Sequence, residues 1–184
     1  LISMEYGFRG PNFTTVAACA SSTNALIDAF NYIRLGKADV FVSGGSEASI
    51  YEAGMGGFNG MHALSTRNDD PKTASRPFDK ERDGFVMGEG GAALILEEYE
   101  HAIARGAKIY AEIAGQGLTS DGYHIAAPDP EGSGVKRAIE IALADAGLTT
   151  KDIVHLNAHA TSTPAGDVAE ASALVGAFGD EISH

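Results

Sequence analysis

The sequence is organised around the stretch Val16-Ala17-Ala18-Cys19-Ala20-Ser21-Ser22-Thr23-Asn24, which contains its only cysteine. The residues just before Cys19, 12–17, predict a short buried strand. After the stretch, apolar residues recur at helical spacing and predict an amphipathic helix that runs to Gly36. These apolar residues are Leu26, Ile27, Phe30 and Ile33. Cys19 is therefore expected at a turn from a strand to a helix.

A thiol at the start of a helix is a candidate nucleophile. The first backbone N–H groups of a helix have no intrahelical partner and carry partial positive charge. Such groups favour the thiolate, which is the nucleophilic form, and they stabilise the oxyanion that forms when sulfur attacks a carbonyl. The alternative is that Cys19 is a small buried residue that only packs the helix start. Both interpretations of Cys19 remain open at this point.

The composition is that of an acidic globular protein. Of the 184 residues, 44% are hydrophobic and 21% are charged, which is enough to bury a core in one domain. The net charge of −12 argues against a nucleic-acid partner. No apolar run approaches the ~20 residues needed to span a membrane, so no membrane association is expected. A single cysteine excludes an internal disulfide and agrees with a reducing compartment, which predicts a cytoplasmic location.

Strands and helices are predicted to alternate along the chain, which indicates the α/β class. A strand at 38–43, buried on both faces, would complete a parallel βαβ unit with the strand at 12–17 and the helix after Cys19. Residues 51–91 are predicted to be irregular or partly helical, with salt bridges between their charged side chains. Further strands are predicted at 92–97, 108–118 and 153–157. Further helices are predicted at 98–105, 133–146 and from about residue 167.

The second stretch with chemical character is Asn157-Ala158-His159-Ala160-Thr161-Ser162-Thr163-Pro164. His159 comes directly after the predicted strand 153–157, and ligands of open α/β sheets bind at the carboxyl ends of strands. Cys19 and His159 are far apart in sequence, which is normal for a cysteine–histidine site. Because a lone histidine is more often structural than catalytic, the residues alone indicate only an acyl-transfer or thiol-nucleophile enzyme.

Five motifs together resemble the β-ketoacyl-[acyl-carrier-protein] synthases of the thiolase-fold superfamily. The motifs are residues 17–22, 44–48, 63–68, 76–85 and 157–164. Along essentially its whole length the chain is most similar to the synthase II type, the elongating condensing enzymes of type II fatty-acid synthesis. The resemblance implies a thiolase-like fold. It also implies that residues 1–106 form the end of an N-terminal half and residues 107–184 the start of a C-terminal half.

The resemblance also implies that this chain is a central fragment of a longer protein, because family members are more than twice its length. The family's lysine, second histidine and glycine-rich gating loop would then lie beyond residue 184. His184 comes too early to be that second histidine.

Five residues match functional positions of the family. Cys19 matches the nucleophile that takes the acyl chain from the phosphopantetheine thiol, and its N–H matches an oxyanion donor. His159 matches the histidine that assists decarboxylation of the malonyl group. Thr161 and Thr163 match residues that hydrogen-bond the phosphopantetheine arm, and Phe58 matches a residue that lines the acyl pocket.

The reaction implied by the resemblance joins an acyl-enzyme thioester to malonyl-acyl carrier protein, with loss of carbon dioxide, and gives β-ketoacyl-acyl carrier protein. It needs no metal or organic cofactor. The implied partners are acyl- and malonyl-loaded acyl carrier protein and a second copy of the chain, paired through the strand at 12–17. Ala126 and His62 depart from the family at contacts with the pantetheine and the carrier protein. The alternatives are a polyketide-type ketosynthase, a biosynthetic thiolase and a non-catalytic chain-length-factor subunit.

Overall fold

The structure is a computed structural model and describes residues 1–179 and residue 182. His184 lies outside the described residues. The helices and strands, in chain order, are α1 (Ile2–Tyr6), α2 (Ser21–Arg34), β1 (Val40–Glu47), α3 (Glu52–Gly60), β2 (Gly90–Glu97), α4 (Tyr99–Ala104), α5 (Ser133–Ala146) and α6 (Pro164–Phe178). Short 3₁₀-helices lie at Pro71–Thr73 and Thr150–Asp152. None of the helices in this part of the chain combines the length and apolarity that crossing a membrane would require.

The chain divides into two compact units built from interleaved segments. The first unit combines Leu1–Ala48 with Glu89–Ile113, and the second combines Ser49–Gly88 with Ala114–His184. Cys19 belongs to the first unit. Phe58 and the histidine stretch 157–164 belong to the second.

The first unit is a two-stranded antiparallel sheet with a helix packed against it. β1 and β2 pair from Val40 opposite Glu97 to Glu47 opposite Gly90, and α2 packs on β1. Ile27 and Ala29 of α2 are buried. Beside this packing lies an aromatic cluster of Phe13, Tyr32 and Phe41, whose ring centroids are 5.7–6.3 Å apart.

The parallel βαβ unit predicted for this region is wrong for the described residues. Residues 12–16 belong to no strand, and β1 pairs with β2 in the antiparallel sense. The reason is that a strand exists only where a neighbour completes its hydrogen-bond ladder. Burial of the strand at 38–43 on both faces is also wrong, because Val40 of β1 is 40% exposed and Phe41 and Val42 are only partly buried.

The second unit is built around the packing of α5 on α6. Small residues let the two helices approach closely. A Cβ placed on Gly132 would lie 2.4 Å from the carbonyl oxygen of Ala169 and 2.7 Å from the Cβ of Ala173. Ala169 and Ala173 are buried on α6, so this contact is part of the core of the second unit.

The strands predicted at 108–118 and 153–157 are also not formed, because the described residues offer them no strand to pair with. Part of the first segment instead runs against α5. A Cβ on Gly117 would lie 1.9 Å from the carbonyl oxygen of Ala138, and the N–H of Gln116 donates to the Asp145 carboxylate at 3.1 Å. His159 consequently follows a 3₁₀-helix and an irregular segment, not a strand.

The predicted helices are confirmed within a few residues. α5 has the predicted bounds, and Gly147 ends it in the left-handed conformation with φ 67°. α6 begins at Pro164, before the predicted residue 167. Proline suits the first position of a helix, and the Thr163 hydroxyl accepts the Gly166 N–H at 3.2 Å as the cap. Residues 51–91 are partly helical as predicted, because α3 lies within them.

Candidate active site

Cys19 lies in a tight turn that leads directly into α2. The turn is closed by two backbone hydrogen bonds, from the Ala20 N–H to the Ala17 carbonyl at 3.0 Å and from the Ser21 N–H to the Ala18 carbonyl at 3.1 Å. Ala18 has φ 48°, a left-handed conformation that residues other than glycine rarely adopt. The thiol is exposed. This exposure contradicts the interpretation of Cys19 as a buried packing residue.

The side chain of Ser21 stabilises this turn through two hydrogen bonds. Its hydroxyl accepts the Ala17 N–H at 2.8 Å and donates to the Ala18 carbonyl at 2.6 Å, so it spans the strained residue. The helix cap itself is Ala20, which has no side-chain hydrogen bond to offer. The first N–H groups of α2 are therefore left without a side-chain cap beside the thiol, which is the arrangement that suits a thiolate or an oxyanion.

Two contacts set the start of α2 on the rest of the first unit. A Cβ on Gly45 of β1 would lie 1.9 Å from the Ser22 hydroxyl, so a side chain at this position would force Ser22 of the helix to shift. The Thr15 hydroxyl donates to the Asp28 carboxylate at 2.7 Å and ties the segment before Cys19 to the middle of α2.

The loop that carries His159 is held by a carboxylate on α6. The backbone N–H groups of His159 and Ala160 donate to the two oxygens of Glu170 at 2.6 and 2.8 Å. Ala160 and Ser162 have φ 49° and 67°, so two residues of the loop that are not glycine adopt the left-handed conformation. Such conformations persist only where the surroundings impose them. The His159 side chain itself is exposed.

Behind this loop lies a buried carboxylate, Asp167, whose residue is only 2% exposed. It accepts the Ser162 N–H at 3.0 Å and the Phe78 N–H at 2.6 Å, and it forms a salt bridge with the Nε of Arg82 at 3.2 Å. A buried charge is tolerated only when it is paired and hydrogen-bonded, and Asp167 meets both conditions.

Ser162 is the fully buried partner of Asp167 and joins the histidine loop to the segment 76–85. Its hydroxyl accepts the Arg76 N–H at 3.0 Å, and its carbonyl accepts the Gly84 N–H at 3.1 Å. The motifs 76–85 and 157–164 are thus hydrogen-bonded to each other inside the second unit.

A third motif, 63–68, joins the same network through Asp83. Its carboxylate accepts the Ser65 hydroxyl at 2.6 Å and the Thr66 N–H at 3.0 Å. These hydrogen bonds, the one from Ser65 first, hold the pKa of Asp83 below its ordinary value. Gly84, with φ 148°, is required next to it, because a Cβ there would lie 2.4 Å from the carbonyl carbon of Leu64.

The remaining predicted site residues also lie in the second unit. The hydroxyls of Thr161 and Thr163 are 2.9 Å apart, within hydrogen-bond distance of each other. Phe58 on α3 is 37% exposed, and its ring meets that of Phe85 edge to face with centroids 5.1 Å apart. The second unit therefore carries an imidazole, two adjacent hydroxyls and a partly exposed aromatic pair.

Comparison with known families divides the chain into two consecutive matches. Residues 1–102 match the family model of the beta-ketoacyl synthase N-terminal domain, and residues 110–184 match that of the C-terminal domain. The chain belongs to the beta-ketoacyl synthase family. The resemblance inferred from the five motifs is thereby confirmed.

Individual relatives agree with this assignment. The chain is 51% identical over 183 residues to a 3-oxoacyl-[acyl-carrier-protein] synthase 2 of Staphylococcus aureus, and the match covers the whole chain but 45% of that protein. Among solved structures, 97% of the chain superposes on a beta-ketoacyl synthase from Burkholderia phymatum with a TM-score of 0.92, 46% identity and 43% coverage of that chain. The chain thus spans a little under half the length of these relatives.

A further solved structure is described as a type II PKS acyl-carrier protein in complex with its ketosynthase bound to the hexaketide. It matches 97% of the chain with a TM-score of 0.94 and 37% identity, over 44% of its own chain. These similarities confirm the α/β class and the thiolase-like fold, which the single two-stranded sheet of the described residues would not establish alone.

Several site residues of this beta-ketoacyl synthase chain were not predicted from the sequence. They lie behind the histidine loop. Ser162 and Asp167 are buried, Arg82 donates to backbone carbonyls, and Glu170 accepts two backbone N–H groups. The predicted salt bridges of the loop region are confirmed for Arg76, which lies 3.9 Å from Asp79 and 3.7 Å from Glu81. Within the described residues, no group of three or more His, Cys, Asp or Glu side chains is arranged to hold a metal ion.

Proposed function

We propose that the full-length protein is an acyltransferase that elongates fatty acids by decarboxylating condensation of an acyl-enzyme thioester with malonyl-acyl carrier protein. The observation that carries the proposal is the 51% identity, over the whole chain, to a 3-oxoacyl-[acyl-carrier-protein] synthase 2. The exposed thiol at the uncapped start of α2 supports it independently, since that position suits a nucleophile.

The first half-reaction transfers an acyl group to Cys19. The sulfur of Cys19 attacks the thioester carbonyl, and the Cys19 N–H stabilises the oxyanion that forms. The new carbon–sulfur bond then remains while the bond to the pantetheine sulfur breaks, and the carrier thiol leaves with a proton. Covalent capture divides a difficult condensation into two easier steps.

The second half-reaction uses malonyl-acyl carrier protein. Loss of carbon dioxide leaves its electron pair on the methylene carbon as an enolate, and His159 stabilises the enolate oxygen. The carbon attacks the thioester on Cys19 and releases the Cys19 thiolate. Thr161 and Thr163 bind the phosphopantetheine arm and Phe58 lines the acyl pocket. This electron balance needs no metal and no organic cofactor.

The proposed partners are acyl carrier protein and a second copy of the same protein. The solved complex of a carrier protein with its ketosynthase supports the first. For the second, residues 12–17 would form a strand on pairing with the same residues of the partner copy. The division of the chain into halves at residues 106 and 107 and the cytoplasmic location belong to the same proposal.

A polyketide-type ketosynthase is the second candidate, because the TM-score of 0.94 to such a ketosynthase is as high as that to the beta-ketoacyl synthase. The lower identity, 37% against 51%, favours the fatty-acid reaction.

The reaction product distinguishes the fatty-acid enzyme from the polyketide enzyme. A fatty-acid enzyme given one acyl primer and excess malonyl-carrier protein stops after one condensation, whereas a polyketide enzyme continues. A biosynthetic thiolase would instead condense acyl-coenzyme A without decarboxylation.

The proposal is tested by separating the half-reactions in the full-length protein. We expect Cys19→Ala to abolish condensation. We expect His159→Ala to accept the acyl group normally while malonyl decarboxylation falls by about 10²–10³-fold, the usual effect of losing one oxyanion stabiliser. His155→Ala is the matched control, since that exposed histidine lies four residues earlier. Normal decarboxylation with lost acylation in His159→Ala would contradict the assignment.

A further inference from the structure

We propose that Arg82 is a positioning residue for the pantetheine-binding hydroxyls: it holds the backbone of the turn 161–164 and so fixes Thr163 and Thr161. The inference rests on the proposed function, which assigns the phosphopantetheine arm to these two hydroxyls. Arg82 would not touch the substrate. It would act through the carbonyl groups that it binds.

Every nitrogen of the Arg82 guanidinium has an acceptor. Nε donates to the Thr163 carbonyl at 3.1 Å and lies 3.2 Å from the Asp167 carboxylate, Nη2 donates to the Pro164 carbonyl at 2.6 Å, and Nη1 donates to the Asp79 carbonyl at 2.8 Å. The Arg82 side chain is 13% exposed and that of Asp167 is 2% exposed. A planar fork with four partners fixes direction as well as distance.

The turn that Arg82 holds has a conformation that its sequence does not favour. Ser162 has φ 67°, and its N–H is bound by the same Asp167 carboxylate that pairs with Arg82. Arg82 and Asp167 therefore both hold this turn by hydrogen bonds. The guanidinium binds the carbonyls that follow Ser162, and the carboxylate binds the N–H of Ser162 itself.

The hydrogen bond from Arg82 to Thr163 also determines where the two threonine hydroxyls lie. Thr163 offers its carbonyl to Arg82 and its hydroxyl to the Gly166 N–H and to Thr161, whose hydroxyl is 2.9 Å away. A shift of the Thr163 backbone therefore moves both hydroxyls. Lysine at position 82 would keep the positive charge near Asp167 but could not bind two carbonyls and a carboxylate in a fixed geometry.

Arg76→Lys is the matched control for Arg82→Lys. The Arg76 side chain bonds the Thr73 carbonyl and pairs with Asp79 and Glu81, and none of these contacts involves the histidine loop. Its N–H bond to Ser162 comes from the backbone and survives the substitution.

The experiment measures the initial rate of Cys19 acylation in the full-length protein as a function of the concentration of two donors, an acyl-pantetheine thioester and the ethanethiol thioester of the same acyl group, which lacks the arm. KM here is the donor concentration that gives half the maximal acylation rate. We expect Arg82→Lys to raise KM for the pantetheine thioester about ten-fold or more, as the loss of a charged hydrogen bond typically does. KM for the ethanethiol thioester and the rate of Cys19 alkylation by iodoacetamide should stay within about two-fold, and Arg76→Lys should change none of them.

A second comparison removes the Thr163 hydroxyl, which Arg82 is proposed to position. In a Thr163→Val background, Arg82→Lys should raise KM for the pantetheine thioester by a smaller factor than in the wild-type background, because residues that act through one group are not additive and only the Thr161 hydroxyl then remains. If Arg82→Lys lowers the melting temperature more than Arg76→Lys does, the double variant Arg82→Gln/Asp167→Asn, which removes both buried charges, carries the same test.

Two results would overturn the inference. One is an unchanged KM for the pantetheine thioester in Arg82→Lys. The other is an equal loss with both donors, which would mean that Arg82 supports the fold without positioning the threonines. Failure of the proposed function looks different, because the wild-type protein itself would then take no acyl group on Cys19 from either donor.

Discussion

The carboxylate of Glu170 accepts the backbone N–H of His159 at 2.6 Å, so α6 holds the histidine loop through its backbone. The second carboxylate oxygen accepts the N–H of Ala160 at 2.8 Å. We expect Glu170→Gln to disturb this loop, because the amide keeps one acceptor and turns a donor towards the other N–H. The two N–H groups lie at exposed and partly buried positions, so the lost hydrogen bond should cost about 1 kcal/mol, which corresponds to a several-fold fall in malonyl decarboxylation.

Alkylation of Cys19 by iodoacetamide should be unchanged in Glu170→Gln. Glu140→Gln is the control, since Glu140 pairs with Lys136 on the exposed side of α5. Equal decarboxylation rates in Glu170→Gln and the wild-type protein would show that the loop does not depend on this carboxylate.

Ser21 is expected to hold the strained turn before Cys19. Its hydroxyl makes two hydrogen bonds to the backbone around Ala18, and each is worth about 1 kcal/mol net. Ser21→Ala should therefore lower the melting temperature and slow alkylation of Cys19 several-fold, and Ser21→Thr should restore both. Ser22→Ala makes the same chemical change one residue further on, at an exposed position, and should leave the alkylation rate unaltered. Identical alkylation kinetics in the two alanine variants would refute this role.

Gly45 is predicted to be required by the contact between β1 and α2. A Cβ there would lie 1.9 Å from the Ser22 hydroxyl, so Gly45→Ala should cost about 1–3 kcal/mol of unfolding free energy, as overpacking usually does. Ser22→Gly removes the obstructing side chain and should recover most of the loss. Gly56→Ala is the control, because nothing lies within 4 Å of a Cβ at that site on α3. No rescue by Ser22→Gly would locate the clash elsewhere.

Glu97 at the end of β2 should make stability depend on pH in strongly acidic solution. Bidentate hydrogen bonds from Arg105, at 2.6 Å each, together with His101, lower the pKa of Glu97 to about 2. A lowered pKa means that the folded state holds the carboxylate ionised longer than the unfolded state does. Its contribution to stability is therefore complete above the ordinary value of 4.5 and is lost as pH falls towards 2.

Urea unfolding of the full-length protein across this pH range checks the prediction. Glu97→Gln should flatten the dependence between pH 4.5 and 2 relative to the wild-type protein. Glu100→Gln, at an exposed position on α4, should not. A wild-type slope that survives in Glu97→Gln would assign the acid sensitivity to other carboxyl groups.

The helices could be predicted from sequence because their signals are local. The apolar period of α5 and the glycine that ends it lie within fifteen consecutive residues, and its bounds were predicted correctly. The strands are harder to predict from sequence, because a strand forms only beside a partner strand that its own residues do not specify. Residues 108–118 and 153–157 have strand-like patterns, yet no strand pairs with them in the described part of the chain.

The candidate site shows the same division. Cys19 and His159 stand in motifs that can be recognised without a structure. Arg82 and Asp167 belong to segments 85 residues apart, and their pairing depends on how the second unit folds. Glu170 lies on an ordinary helix face, and only the backbone course of residues 159 and 160 brings two N–H groups to it. No local pattern marks a side chain whose partners are backbone groups of another segment.

The central claim is that Cys19 carries the growing acyl chain, and one measurement tests it most directly. The full-length protein is incubated with an acyl-loaded carrier protein, digested, and mapped by mass spectrometry before and after malonyl-carrier protein is added. We predict that the acyl group is found on the peptide containing Cys19, and that malonyl-carrier protein discharges it as a β-ketoacyl product two carbons longer. An acyl group on another residue, or an undiminished β-ketoacyl product from Cys19→Ala, would contradict the account.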